Sequence, residues 1–448
     1  MKLFLTLYAL ITSFIIFILM WGLTPAASLV LAVSILLTLQ GAIATYAMFY
    51  TFLEERRLRR IKAEKHVLPG KASKSFSLIV PARNEEEVIG DTLKAMAKLK
   101  YPDSRYEVLV LVPAYDRKTW QVVYETLQKL KKDNFRLIPV DGEANTKAYS
   151  LNIGAHYAQH EIVAVFDAED EPQPELLSKV AVAFASDKNL AVVQAGVQLI
   201  NVNSAWFSAL NSLEYYFWFK SVLPFLNKFG VTPLGGNTVF TKKAVLQKIG
   251  SWDERCLTED ADIGVRLAEA GYKVKVIYEE KLATLEETPK DEIALIKQRS
   301  RWDQGYLQTL FKGNWLGLPT LKQQLLTGYV LTQSLFRHVS FIFMTLTPVA
   351  SWLFKVPLGL ALFSCLPAYF LILQLGLYFL GLYDLQKYYK LNFKPWLYVR
   401  MLLSFLPYQA MLALASVRAL GRMVNGIVIW EKTVHSNLHR SLVANYES

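Results

Sequence analysis

Charge is absent where a water-soluble chain would need it: from Leu3 to Leu53 the sequence contains no Asp, Glu, Lys or Arg. A solvated domain has no use for such a run, so the chain is read as a membrane protein. Cysteine is also scarce. Cys256 and Cys365 are the only two, in very different surroundings. They argue no disulfide framework and no zinc cluster, and they are compatible with a reducing compartment. Only 19% of the residues are charged and 53% are hydrophobic, which excludes a disordered chain, a collagen and a coiled-coil rod. The net charge of +11 comes with no basic arm, finger or helix-turn-helix pattern, so no nucleic-acid partner is expected. Much of the excess follows the uncharged run directly, at Arg56, Arg57, Arg59, Arg60, Lys62 and Lys65.

A bilayer crossing takes about 20 residues, so the uncharged run has room for two. Thr24-Pro25 divides it into Leu3–Leu23 and Ala27–Leu53. A signal peptide is the other reading of the first half, with Lys2 before it and Pro25-Ala26-Ala27-Ser28 as a cleavage site. Either way the basic cluster, and everything after it, falls on the cytoplasmic side. The expected organisation is two transmembrane helices in 1–54, a basic cytoplasmic linker in 55–74, a cytoplasmic catalytic domain in 75–325 and two more crossings in 326–384. An interfacial or re-entrant helix and a cytoplasmic tail fill 385–448. That describes a multi-pass protein of the plasma membrane (in a bacterium, the inner one), with its lipids as first partners. The second pair of crossings is Thr327–Phe354 and Val356–Tyr383. A charge at the bilayer centre costs about 2.5–3.5 kcal/mol. Arg337 therefore faces protein or a polar cavity, or else the crossing begins after His338. Met401–Val417, with Pro407 inside and basic residues on both flanks, is too short to cross twice.

Between Lys71 and Lys322 charged and apolar residues alternate at helix and strand periods. Ser75–Pro81, Tyr106–Val112 and Ile162–Phe166 read as buried strands, ending at Ala82-Arg83-Asn84-Glu85, Pro113-Ala114-Tyr115-Asp116 and Asp167-Ala168-Glu169-Asp170. Strands alternating with helices, with carboxylates beyond their C-terminal ends, describe an open parallel sheet whose ligand lies in the crevice at those ends. Asp167, Glu169 and Asp170 offer the hard oxygen ligands that Mg²⁺ or Mn²⁺ takes alongside phosphate oxygens. Thr258-Glu259-Asp260 reads both as the acidic first turn of a helix and as a carboxylate mounted on a rigid support. In Gln298-Arg299-Ser300-Arg301-Trp302, residues 298, 301 and 302 share one helical face.

The ordered set resembles the membrane-integrated family-2 glycosyltransferases, the branch of cellulose, chitin and hyaluronan synthases. It looks most like bacterial exopolysaccharide synthases with a DAED metal motif. The likeness covers about residues 75–312. It implies an α/β nucleotide-sugar-binding (GT-A) domain joined to multi-pass transmembrane helices, and an inverting, processive enzyme that extends a β-linked polysaccharide from a UDP-sugar and moves it across the membrane. Residue by residue, it implies Asp260 as catalytic base with Glu259 in support. Pro81, Arg83, Glu85, Asp116, Lys147, Asp167, Arg299 and Arg301 would hold the nucleotide-sugar. Gly236, Asn237, Gln298 and Trp302 would hold the acceptor, and Asp167, Glu169 and Asp170 the Mg²⁺ or Mn²⁺. The partners implied are a nucleotide-sugar donor and a glycan or lipid-linked acceptor, with room for an accessory export subunit. Tyr115 and Glu169 stand where many relatives have Asp. Two other functions share these residues: transfer of one sugar to a polyprenyl phosphate, and a non-catalytic component of polysaccharide export. The closing Ile429–His435 resembles a tail motif of the DAED-bearing relatives and has no chemical role from sequence alone.

Overall fold

The structure, a computed structural model, describes residues 25–63, 74–141, 146–353, 355–356, 358–391, 394–431 and 440. The first expected crossing, Leu3–Leu23, and residues 432–435 of the closing motif lie outside them.

Seven strands form the main sheet: β1 (Phe76–Pro81), β2 (Tyr106–Pro113), β3 (Phe135–Val140), β4 (Ile162–Val165), β5 (Leu190–Ala195), β7 (Val239–Lys242) and β8 (Lys273–Ile277). Their order is β3-β2-β1-β4-β7-β5-β8. All neighbours are parallel except β7, which runs antiparallel to β4 and β5. A two-stranded sheet pairs β6 (Val197–Leu199) with β9 (Thr284–Glu286).

The strands are apolar on both faces because helices cover both. Phe76, Leu78 and Val80 pack with α2 (Ile89–Met96), α3 (Arg117–Leu130) and α5 (Leu176–Ser186). Ile79, Leu109 and Val163 point the other way, toward α4 (Lys147–Tyr157), α8 (Lys243–Lys248) and α9 (Glu259–Glu269). Chain order reverses between β1 and β4, and a doubly wound sheet opens its ligand crevice at such a point. Register sharpens it: Ile79 lies beside Val165, which sets Pro81 level with Asp167 just past both strand ends.

The remaining helices form the apolar half. They are α1 (Pro25–Ala63), α6 (Ser208–Phe217), α7 (Leu223–Asn227), α10 (Glu292–Lys312), α11 (Leu321–Leu331), α12 (Gln333–Leu353), α13 (Leu358–Ser364), α14 (Leu366–Tyr388) and α15 (Trp396–Val424). Among the described residues three segments are long and apolar enough to cross a membrane: Val30–Glu54 within α1, α14 and α15. One apolar cluster ties them to the sheet domain, joining Met48, Leu213, Leu295, Leu382 and Phe405.

Helix boundaries differ from the sequence reading at three places. Thr327–Phe354 is divided at Thr332 into α11 and α12, and Val356–Tyr383 is divided at Cys365, with Pro367 opening α14 rather than kinking a longer helix. Proline is tolerated in a helix's first turn, where its missing N–H has no partner to lose. Met401–Val417 lies inside one 29-residue helix that continues through Pro407. The basic ends of that helix are bonded to neighbouring segments: Arg400 Nη2 donates to Val202 O, just past β6, at 3.1 Å and Arg422 Nε to Gln304 Oε1 of α10 at 2.8 Å.

Candidate active site

A crevice of about 160 Å³ opens at the β1/β4 switch. Of the residues singled out from sequence, it is lined by Pro81, Arg83, Glu85, Lys147, Asp167, Glu169, Gly236, Asn237, Glu259, Asp260, Gln298, Arg301 and Trp302. Lys147 opens α4, whose cap is Thr146, and its ammonium lies deep in the crevice. There it pairs with the Asp167 carboxylate and donates to Gly236 O at 3.0 Å. Burial alone would lower its pKa, but the carboxylates of Asp167 and Glu259 push it up.

Glu259 and Asp260 form the first turn of α9, where the helix dipole favours negative charge. Asp260 Oδ1 accepts from Ala261 N at 2.8 Å. Burial raises Asp260 above the usual carboxylate range; burial, and then the charge of Asp260, pushes Glu259 up to about 7. Two glycines allow the close packing. Gly236 has φ +84°, and a Cβ there would stand 2.9 Å from Asp260 Oδ2. Gly305 lets α10 press directly on Thr258, which a Cβ would overlap.

Asp167 and Glu169 are the carboxylates that the acidic loop after β4 sets on the crevice wall. Among the described residues no group of three His, Cys, Asp or Glu side chains could by itself hold a metal ion. Two carboxylates suit Mg²⁺ or Mn²⁺, which complete their shells with substrate phosphates and water. The fold matches that pattern.

Three expected site residues are placed elsewhere. Asp170 is wholly buried: its Oδ2 accepts from Asp167 N at 2.8 Å and its Oδ1 from Asn237 Nδ2 at 2.9 Å, so it braces the acidic loop from behind. Asp116 caps α3 and accepts from Asn84 N at 2.5 Å and Thr119 N at 3.3 Å, holding Asn84 in its φ of +54°. Arg299 turns away from the crevice, because two positions on a helix are about 200° apart and Arg301 takes the near side. Its Nη2 donates to Glu214 Oε2 at 2.5 Å and its guanidinium lies 4.6 Å from the Trp302 ring centroid.

Arg299 lines a second cavity, of about 270 Å³, between the sheet domain and the apolar helices. Ala44 and Met48 of α1, Tyr329 of α11, Arg337 of α12 and Tyr378 of α14 contribute to its wall. Arg337 therefore faces protein, 3.7 Å from Asp303 Oδ1. The two cavities share Tyr215, Gly235, Thr258, Asp260 and Trp302. Asp260 borders both.

Sequence reasoning missed Tyr215, Glu286 and Trp430, which also line the crevice. Trp430 lies between two guanidinia, 4.7 Å from Arg83 and 5.0 Å from Arg301. The closing motif's first residues thus dock on the crevice, held by Arg418 and Arg422 through Glu431. The resemblance of that motif was the available signal for Trp430; nothing local marked the other two.

Residues 73–305 match the family described as "Glycosyltransferase like family 2". The chain is 25% identical over 309 residues to the poly-beta-1,6-N-acetyl-D-glucosamine synthase of Staphylococcus epidermidis, covering 67% of this chain and 70% of that one. It is 30% identical over 246 residues to the beta-monoglucosyldiacylglycerol synthase of Synechocystis sp., covering 53% and 49%. A Bacillus subtilis protein named as a "Probable glycosyltransferase" is 24% identical over 285 residues, covering 61% and 63%. The chain thus spans between about half and two thirds of the length of most of these relatives. In structure, a mannosyltransferase from Pyrobaculum calidifontis in complex with GDP-Man and Mn²⁺ superposes with TM-score 0.56 at 19% identity, over 87% of this chain and 99% of that one.

Proposed function

Because the chain belongs to glycosyltransferase-like family 2 and is a glycosyltransferase, we propose that it transfers sugar with inversion from a nucleoside diphosphate, preferentially UDP, to a glycan held in the second cavity. Repeated transfer extends a β-linked polysaccharide that leaves along the apolar helices. The observation that carries this reading is the position of Asp260, which borders both the charged crevice and the cavity beside those helices.

The donor's diphosphate lies against Lys147 and Arg301, whose cations offset its charge. Asp167 and Glu169 would hold Mg²⁺ or Mn²⁺, which would supply positive charge to offset that of the diphosphate. An acceptor hydroxyl enters from the second cavity, its ring against Trp302. Asp260 accepts the proton of that hydroxyl as it attacks the anomeric carbon from the side opposite the leaving group. The product bond has the inverted configuration. Glu259, buried beside Asp260, holds the local charge within what Lys147 can balance.

The catalytic domain works on the cytoplasmic side, where nucleotide-sugars are made. Helix α15 lies along the membrane surface in this reading, since its two ends are bonded to Val202 just past β6 and to Gln304 of α10. A lipid acceptor is the second reading. The apolar wall at Ala44, Ala47, Met48 and Val330 favours it, and so does the name of the Synechocystis relative. Membranes containing the chain, incubated with radiolabelled UDP- and GDP-sugars, decide between them. Long polymer that linkage-specific hydrolases digest supports the first reading. Label confined to organic-extractable lipid overturns it in favour of the second, and no incorporation from any donor counts against both.

A further inference from the structure

The reaction as derived gives no role to Glu286, a carboxyl of the crevice wall. Glu286 ends β9 and borders the crevice, although only 6% of it is exposed. Its place is fixed by long-range pairing: Leu285 exchanges two backbone hydrogen bonds with Glu171, N to O at 3.0 Å each way, just past the acidic loop. One amide then clamps two carboxyls. Asn237 Nδ2 donates to Asp170 Oδ1 at 2.9 Å and to Glu286 Oε1. The backbone that carries Asn237 is held in turn, because Gln194 Nε2 donates to the Asn237 main-chain O at 3.0 Å while Gln194 Oε1 accepts from Gly235 N at 2.7 Å. A buried group with this much support is built to one geometry.

The diphosphate sits at Asp167 and the attacking hydroxyl at Asp260. The transferred sugar must bridge the two, and so lies against Gly236, Asn237 and Glu286. A carboxyl there bonds sugar hydroxyls, and it offers no counter-charge to a sugar that carries a carboxylate of its own. The cations of the crevice have other partners, Lys147 and Arg301 the diphosphate and Arg83 the Trp430 ring.

We propose that Glu286, clamped by Asn237 and braced by Asp170, is a specificity-determining residue that reads hydroxyls of the transferred sugar, so that the crevice takes a neutral hexose donor and rejects a uronic acid. This rests on the reading of the crevice as the donor site. The test uses the full chain in membranes or detergent, with UDP- and GDP-linked neutral hexoses, UDP-glucuronic acid and the free nucleoside diphosphates. For Glu286→Gln, kcat/KM with the preferred neutral donor falls about 10- to 100-fold, the cost of leaving a buried hydrogen-bonding group unpaired. Affinity for the free nucleoside diphosphate stays within about twofold. A loss that appears equally in nucleoside diphosphate affinity indicates a purely structural role and overturns the proposal, as does unchanged kcat/KM. Equal use of UDP-glucuronic acid and the neutral donor by the unaltered protein overturns it too. If Glu286→Gln does not fold, singly deoxygenated donors given to the unaltered protein carry the test: at least one position must cost about tenfold or more, and uniform use of all positions overturns it. Absence of turnover and of nucleoside diphosphate binding in the unaltered protein is a different result, one that removes the donor-site reading itself.

Discussion

The two cavities that meet at Asp260 are made from different material. The crevice is walled by short loops: the ends of β1 and β4, the end of β9 and the first turn of α9, dense in carboxylates and cations. The second cavity is walled by long helices and by rings, among them Tyr306, Tyr329 and Tyr378. The first fixes a charged group by electrostatics; the second offers surface to something larger and less charged. Relatives named for a polysaccharide and for a glycolipid both match this chain. Under the proposed function, that spread would follow from a common donor half beside a variable acceptor half.

The sharpest way to break this division is at its partition. Asp260→Asn should lower kcat by about 10²–10⁴, the usual worth of a general base, with nucleoside diphosphate binding retained in a titration. Raised acceptor KM with unchanged kcat would instead assign Asp260 to the acceptor side alone. The arginine pair tests the two walls against each other. Arg299→Met should leave donor KM near its original value and cost about 1.5–3 kcal/mol of stability, the worth of a hydrogen bond to a charged group, by leaving half-buried Glu214 with only the Tyr408 hydroxyl, read by thermal melting. Arg301→Met should raise donor KM with little loss of stability; the reverse pattern would exchange their roles. Trp302→Ala uncovers one ring face, worth about 1.5 kcal/mol or roughly tenfold in acceptor KM, while slow hydrolysis of the donor in the absence of acceptor should persist.

The smallest effect is in pH. A base must be deprotonated to act, and Asp260 is raised by burial, with Glu259 beside it pushed to about 7. Activity should therefore fall on acidification at a pH above the ordinary carboxylate range. Lys147 lowers both groups. Lys147→Met should then move the acid limb of the kcat profile further upward, and a downward shift would contradict the electrostatic assignment.

Much of the donor half is legible locally. A strand end and the carboxylate beyond it are neighbours in sequence, so Pro81, Arg83, Asp167 and Asp260 announce themselves, as does the shared face of Gln298, Arg301 and Trp302. Arg299 was misplaced because the motif was read as a unit; the helical period alone separates it from Arg301. Asp116 followed by Arg-Lys-Thr already spells a helix cap, which is what it is. Asp170 could not be told from Glu169 by type, since only packing decides which of adjacent carboxylates is swallowed by the fold. Glu286 depends on the β6–β9 pairing and Trp430 on the path of α15, both contacts between segments distant in the chain. The apolar helices were found as a class; the break at Thr332 falls on the polar Thr332-Gln333-Ser334, whereas the one at Cys365 lies among apolar residues and shows less.

The wall that the cavities share has a consequence for how such a chain can change. Tyr215, Gly235, Thr258, Asp260 and Trp302 belong to the sheet domain and α10, whereas the far side of the second cavity is contributed by α1, α11, α12 and α14. Selection on those helices can retune the acceptor without disturbing a single group that touches the donor. Grafting them from a relative onto this sheet domain should accordingly exchange the product and keep the sugar.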